Sequence, residues 1–258
     1  MARSTYYYHL KRLGLPDVYK DVRASILRIY EANHGCYGYR RITLELRNEA
    51  TIINHKTVLK LMKELGLKGK QKKLHYHSYK GEIGAIAPNV IDRDFKADEP
   101  YKKLTTDVTQ VNIKDSKMYF SPILDMFNGE ILSYTISDRP DLKMVTNMVK
   151  DALKCIGQIN GCTLHSDQGW HYQHKAYQQL LKDNNIVQSM SRKGNCLDNA
   201  MMENFFGIMK TELLYLHKWE SMEEFKAALR EYVDYYNNKR IKLRLNGMSP
   251  VQYRTHYI

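Results

Sequence analysis

A chain of 258 residues, 43% apolar and 26% charged, can bury a real core, which excludes a disordered chain and a short disulfide scaffold. Forty Lys and Arg against 28 Asp and Glu leave a net charge of +12, a balance expected of a protein that meets a polyanion such as nucleic acid. No apolar run approaches the ~18–20 residues of a membrane span, and the opening MARSTYYYHLKRL is too polar for a signal peptide. Cys36, Cys155, Cys162 and Cys196 include no CxxC pair, so reduced thiols and a cytoplasmic, nucleoid-associated location are expected.

The charge is unevenly spread. Residues 1–103 hold 21 basic and 11 acidic side chains, a balance of +10, residues 104–220 hold 12 and 13, a balance of −1, and residues 221–258 hold 7 and 4, a balance of +3. Such a pattern predicts ends that grip phosphates and a middle that keeps carboxylates for chemistry.

Val22, Ile26, Ile29 and Tyr30 recur at helical spacing up to Ala32, and Ile42 and Leu46 continue that period after a turn at Gly35 to Gly38. A third helix is expected over Asn54 to Leu65, with Val58, Leu61, Met62 and Leu65 on one face, Lys56, Lys60 and Lys63 elsewhere, Asn54 as N-cap and Gly66 as stop. These three helices make residues 1–66 a helix-turn-helix-like module or a plain three-helix bundle. As a DNA reader it would use Arg40, Arg41, Lys56 and Lys60. Residues 67–103, with KGKQKK at 68–73 and Pro88 and Pro100, read as a basic linker.

From Leu104 the pattern changes to strands: Leu104 to Ile113, Met118 to Asp125 and Glu130 to Ser137, the last two joined at Asn128-Gly129, a two-residue hairpin signal. A helix over Lys143 to Lys154, a strand at Cys162 to His165, a helix over Lys175 to Lys182 and a strand at Ile186 to Met190 complete a mixed five-stranded sheet with helices on its faces. A long helix from Asn199 to Leu216 ends this 104–220 core. Residues 221–258 hold a last helix, Glu223 to Tyr236, and a basic tail.

Three acids fall where this architecture brings them together: Asp107 inside the first strand, Asp167 just past the fourth, and Glu203 in the first turns of the long helix. An ionised carboxylate in a central strand is costly unless it is paired or binds a metal. In SRKGNCLDNAMMENFF, Asn199 stands one turn before Glu203 and Lys210 seven residues after it, on the same face, while Met202, Phe206, Met209 and Leu213 form the apolar stripe. Asn199 reads equally as a group supporting the site or as an N-cap. His165, His171 and His174 crowd around Asp167 without the cysteines or longer paired-histidine spacing usual for zinc, and Asp125 reads as a turn cap that could replace Asp107 as a ligand. His9 and Arg12 form an HxxR fragment without the domain of a tyrosine recombinase around it.

TTDVTQV, LHSDQGWHY, GNCLDNAMMENFFGIMKTE and the tail YYNNKRIKLRLNGMSPVQY resemble the OrfB catalytic half of bacterial transposases of the insertion-sequence-three family, and YGYRRITLELRNEATIINHKTVLKLMKELGL resembles the small helical domain ahead of that core. Leu104 departs from the pattern, since relatives often carry Trp before the Thr-Asp. The resemblance implies a ribonuclease-H-like, retroviral-integrase-like α/β core with Asp107, Asp167 and Glu203 as catalytic metal ligands. It implies two Mg²⁺ ions, with Mn²⁺ able to substitute, in cleavage of insertion-element ends followed by joining of the 3′ hydroxyl to a second DNA strand. Lys210, Arg192, Lys193 and Asn199 are the expected DNA contacts near the metals. The implied partners are double-stranded DNA of element ends and target, further copies of the chain on that DNA, and an upstream OrfA segment. A stand-alone metal-dependent nuclease and a non-catalytic DNA-binding accessory protein remain the alternatives.

Overall fold

The computed structural model describes Arg3, Tyr6, Tyr7 and residues 17–70, 86–157 and 161–257, Cys196 by its backbone alone. His9, Arg12 and positions 71–73 of the basic run lie outside the described residues. The chain divides into two compact units, residues 1–70 and 71–258.

In the first unit, α1 (Lys20–Ala32), α2 (Tyr39–Asn48) and α3 (His55–Glu64) meet through Ile26, Ile29, Ile42, Leu46, Val58, Leu61 and Met62, all buried, which is the face the apolar spacing predicted. Asn54 caps α3, its Oδ1 accepting from Lys56 N at 2.8 Å, and Gly66 follows the helix at φ +71°. Residues 68–70 are not a loose connector. The Tyr30 hydroxyl donates to the Lys68 carbonyl at 2.9 Å, and Gly69 runs so close to Gly38 that a Cβ at 69 would meet the Gly38 Cα at 2.8 Å.

The second unit is built on β1 (Lys103–Thr106), β2 (Thr109–Ile113), β3 (Ser116–Asp125), β4 (Ile131–Ser137), β5 (Cys162–Ser166) and β6 (Ile186–Met190). Both β1 and β2 pair with the same edge of β3: Thr106 lies opposite Ile123 and Thr109 opposite Phe120, so one register runs across the gap. They are one interrupted strand, and the sheet is the expected mixed, five-stranded one, with β4 antiparallel to β3 and the β1–β5–β6 side parallel. The interruption at Asp107 and Val108 faces Ser121 and Pro122 in that register. Pro122 has no N–H to give a neighbouring strand, so the ladder skips there.

One face of the sheet is covered by α6 (Ala200–Met209) and α7 (Met222–Asn238), whose Met202, Phe205, Phe206, Met209, Phe225 and Leu229 bury against Val111, Phe120 and Leu124. The other face packs α4 (Leu142–Ile156) and α5 (Lys175–Asp183) on Leu104, Ile123, Leu164 and Met190. Leu104 is thus an ordinary core residue. Several sequence expectations need correction. The helix expected to run from Asn199 to Leu216 is a 3₁₀ turn at Cys196–Asn199, then α6, then a π turn at Lys210–Leu214. The Asn128-Gly129 hairpin is a longer loop, closed by Asp125 N donating to Glu130 O at 2.9 Å, in which Gly129 has positive φ and Asn128 does not. Asp125 is a buried cap there, accepting from Tyr101 N at 2.9 Å and Phe127 N at 3.0 Å, so it is not a substitute ligand.

Residues 86–102 of the expected linker also dock. Val90 and Ile91 donate their N–H groups to Ser189 Oγ at 2.9 and 3.2 Å, and Met190 N donates to Pro88 O at 3.2 Å. The basic tail folds back as well, ending in α8 (Pro250–Tyr257). Arg240 and Arg254 face inward on Glu212 and Glu130 rather than outward to phosphates. The sequence signal for α8 is Ser249-Pro250-Val251-Gln252, a capping box: Gln252 N donates to Ser249 Oγ at 3.3 Å and Ser249 N to Gln252 Oε1 at 2.9 Å. No described helix is long and apolar enough to cross a membrane.

Candidate active site

Strand pairing sets the two aspartates. In the parallel β1–β5 ladder Lys103 pairs with Thr163, Leu104 with Leu164 and Thr105 with His165. Carrying that register two residues onward sets Asp107 beside Asp167 at the carboxyl ends of adjacent strands, where neighbours run about 4.8 Å apart. Asp107 therefore sits at the break between β1 and β2, not within a regular strand as its sequence context suggested. Its Oδ1 accepts from Val108 N at 2.7 Å, and Asp167 Oδ1 accepts from Gly169 N at 2.8 Å. Each carboxylate is oriented by a loop amide rather than held by a cation.

Glu203 is brought in by the start of α6. Asn199, buried, accepts from Thr105 Oγ1 at 2.5 Å and donates through Nδ2 to Thr106 O at 3.2 Å. That bracket ties the helix to the strand immediately before Asp107, and Glu203 lies one turn further along the same helical face. Asn199 makes no cap hydrogen bond, so of the two readings its sequence position allowed it is the group supporting the site rather than the N-cap. The signal that it is structural is its partner, the TT of TTDVTQV.

The electrostatics separate these acids from the others. Asp107 is pushed well above the usual carboxylate range, first by desolvation, then by the charge of Asp167 and, more weakly, Glu203; the Lys210 ammonium opposes the rise. Asp167 is raised by desolvation against the hydrogen bond from Gly169. Lys210 opens the π turn, and burial lowers its pKa while Asp107 holds it up. A π turn at a functional position is a recurring device for re-aiming side chains, and the Tyr215 N to Lys210 O bond at 2.9 Å belongs to it. Tyr172, which sequence reasoning passed over, is buried below: its phenol is 3.5 Å from Thr106 Oγ1, and desolvation with the charges of Asp107 and Asp167 raises its pKa.

The oxygen-rich donor set fits a hard divalent cation. Among the described residues no three His, Cys, Asp or Glu side chains stand close enough to hold one ion in common. The three expected histidines part company: His165 lies in β5 with Nδ1 2.8 Å from Ser189 Oγ, His174 caps α5 by accepting from Ala176 N at 3.2 Å, and His171 flanks Gly169, its ring edge-on to Tyr172 with centroids 4.2 Å apart. Burial keeps His171 neutral, its pKa pushed down to about 4.

The expected DNA contacts divide too. Arg192 is committed to Asp198, with Nε and Nη2 donating at 2.8 and 2.9 Å, and Arg93 joins it at 2.8 Å, so Arg192 braces the loop before α6 instead of offering a free fork to phosphate. Lys193 beside it is exposed. In the first unit Arg40, Lys56 and Lys60 are exposed, Arg40 lies 5.5 Å from the Tyr39 ring centre, and Arg41 is half-buried over Tyr37 at 5.3 Å.

Comparison with known proteins matches two families along the chain. The integrase core domain family matches residues 97–196 and 203–258, and the HTH-like domain family matches residues 18–75. The chain is 51% identical over 254 residues to the transposase InsK for insertion sequence element IS150 of Escherichia coli K12, covering 98% of this chain and 90% of that one. It is 33% identical to the transposase for insertion sequence element IS904 of Lactococcus lactis, covering 90% of this chain and 92% of that one. The HTLV-2 integrase catalytic core domain in complex with magnesium superposes with a TM-score of 0.47 at 19% identity, covering 60% of this chain and 97% of that one.

Proposed function

The chain belongs to the OrfB-type transposases of the insertion-sequence-three family, with an integrase core and an HTH-like domain, and from that premise we propose that it cuts the ends of its element and joins them to new DNA at Asp107, Asp167 and Glu203. The observation that carries this reading is the common register of Asp107 and Asp167 on adjacent parallel strands, with both carboxyls raised by burial. The three carboxylates would hold two Mg²⁺ ions, with Mn²⁺ able to stand in. When bound, such ions activate the attacking oxygen and neutralise charge on the leaving one in an in-line displacement at phosphorus.

The residues themselves have defined tasks in this reading. Val108 and Gly169 hold one oxygen of each aspartate, so the carboxylates meet the phosphodiester in a fixed orientation. Asn199 keeps the first turn of α6 against β1 and thereby sets Glu203 as a positioning residue. Lys210 steadies the scissile phosphate from the same helical face. Water attacks first and frees a 3′ hydroxyl, which then attacks the second strand at the same site, so no covalent protein intermediate is needed. Arg40, Arg41, Lys56 and Lys60 would grip the duplex, with Lys193 nearer the chemistry. Joining two ends calls for more than one copy of the chain on DNA, together with an OrfA segment.

The test uses a labelled duplex carrying a terminus of the element. Asp167→Asn and Glu203→Gln should each lower Mg²⁺-dependent cleavage and joining by a factor on the order of 10³ while leaving duplex binding in place. Undiminished chemistry in both variants would refute the site, and cleavage without any joined product would mark a nuclease instead.

A further inference from the structure

The start of α6 is anchored a second time, by an acid outside the three carboxylates of the site. Asp198 stands one residue before Asn199 with its side chain 0% exposed, and its carboxylate collects donors from two separate stretches of the second unit. Its Oδ2 accepts from Arg192 N at 3.0 Å, Arg192 Nε at 2.8 Å and Asn89 Nδ2 at 3.2 Å, and its Oδ1 accepts from Arg192 Nη2 at 2.9 Å and Arg93 Nε at 2.8 Å. Asn89 and Arg93 lie outside the spans matched by either domain family.

The backbone that delivers Arg93 is held in an unfavourable shape. Asp94 N donates to Ile91 O at 2.8 Å across a turn whose two central residues, Asp92 and Arg93, have φ of +40° and +65°. Turns of this kind favour Asn-Gly, and an arginine in the second central position persists only where its surroundings hold it there. Here they do. Asn89 Oδ1 accepts from Asp92 N at 2.9 Å, and Val90 and Ile91 donate their N–H groups to Ser189 Oγ, which lies 2.8 Å from Nδ1 of His165 on the strand leading to Asp167. One clasp, residues 89–93, thus grips both the strands beside Asp167 and the turn that opens toward Glu203.

We propose that Asp198 is a positioning residue for Glu203: Arg93 and Arg192 close on its carboxylate and thereby fix the first turn of α6 in rotation as well as in distance. The inference rests on the reading of Glu203 as a catalytic acid. Successive residues of a 3₁₀ turn point about 120° apart, so the Asn199 bonds to β1 and the Asp198 bonds to the clasp hold the helix entry from two sides. A reacting group displaced by about 1 Å costs on the order of 10²-fold in rate, so a swivel too small to unfold anything is enough to matter.

The experiment uses the full chain and the labelled element-end duplex. Arg93→Gly is the informative variant, because it removes the guanidinium while relieving the turn. Its unfolding midpoint should stay within about 2 °C of the wild type. Amide hydrogen exchange over residues 200–206 should rise about tenfold while β1 and β5 keep their protection. The kcat for cleavage should fall about tenfold or more, with KM for the duplex within about twofold. Arg93→Lys, which keeps the charge, should recover part of the rate. Unchanged kcat or unchanged local exchange in Arg93→Gly overturns the proposal, and so does exchange that rises equally throughout the unit, which would mark Asp198 as a merely structural acid. A folded Asp198→Asn with wild-type kcat overturns it too, and if that variant does not fold, the two Arg93 variants decide the matter. Glu203→Gln separates the two levels: full chemistry in that variant defeats the active-site reading itself, whereas lost chemistry there with unchanged kcat in Arg93→Gly defeats the positioning role alone.

Discussion

Asp107 and Glu212 are both acids set into the interior of the same unit, and their surroundings treat them oppositely. Glu212, in the π turn, accepts two bonds from Arg240 at 2.6 Å each and one from Tyr232 at 3.1 Å. Arg240 is the answering charge: burial alone would lower its pKa, and the Glu212 bonds more than reverse this. Asp198 is treated likewise, held well below the usual range by Arg192 against its burial, with Arg93 adding to the effect. Asp107 and Asp167 receive a backbone amide each and are raised by burial and, at Asp107, by each other's proximity. An acid neutralised by a guanidinium holds the fold together. An acid oriented by an amide and raised by burial beside another is suited to a ligand cation.

The largest test of this contrast is on the paired side. Arg240→Met leaves Glu212 buried without its partner and should cost about 3–5 kcal/mol in urea unfolding, with replacement of both partners by apolar residues recovering much of the loss. A cost below about 1 kcal/mol would remove the distinction. Next comes the reverse sign. Asp107→Asn, assayed without divalent cation near neutral pH, should stabilise the protein by about 1–2 kcal/mol while abolishing its chemistry, because it removes a desolvated charge that Asp167 repels. Destabilisation of similar size would mean that Asp107 is a structural acid.

pH sharpens the same contrast. Asp125, fully buried, is pushed up from 3.8 to about 6 by burial, so it binds its proton more tightly folded than unfolded. Its contribution is complete below about pH 4 and is lost as pH rises through about 6, and Asp107 and Asp167 act in the same direction. Asp198, lowered, has the opposite sign and loses its contribution as pH falls below the ordinary carboxylate range. Cation-free stability should therefore fall between about pH 4 and pH 7, and Asp125→Asn should flatten part of that fall. A rise over this window in the wild type would contradict the assignment. The smallest effect belongs to the first unit, where Lys56→Gln and Lys60→Gln should each lower the salt dependence of duplex binding by about one unit of slope, with stability little changed.

Much of this was legible in the residues. The apolar stripe Met202, Phe206, Met209 and Leu213 did bury, because a period of 3.6 with one apolar face has few alternatives. Asp107 stood out because an acid amid TTDVTQV has no apolar reason to be there. What could not be read is what depends on partners far along the chain. The break at Asp107 follows from Pro122 on the neighbouring strand, and the inward role of Asn199 from Thr105, 94 residues earlier. The basic tail misled for the same reason, since charge counts cannot tell Arg240 facing Glu212 from an arginine facing phosphate.

The central claim is that Asp107, Asp167 and Glu203 close on divalent cations. Anomalous diffraction from crystals of the full chain with Mn²⁺ and element-end DNA tests it most directly. The account predicts two ions about 3.5–4 Å apart, each bound by oxygens of these three side chains at the scissile phosphate. Ions bound elsewhere, with Glu203 turned away from both aspartates, would contradict it.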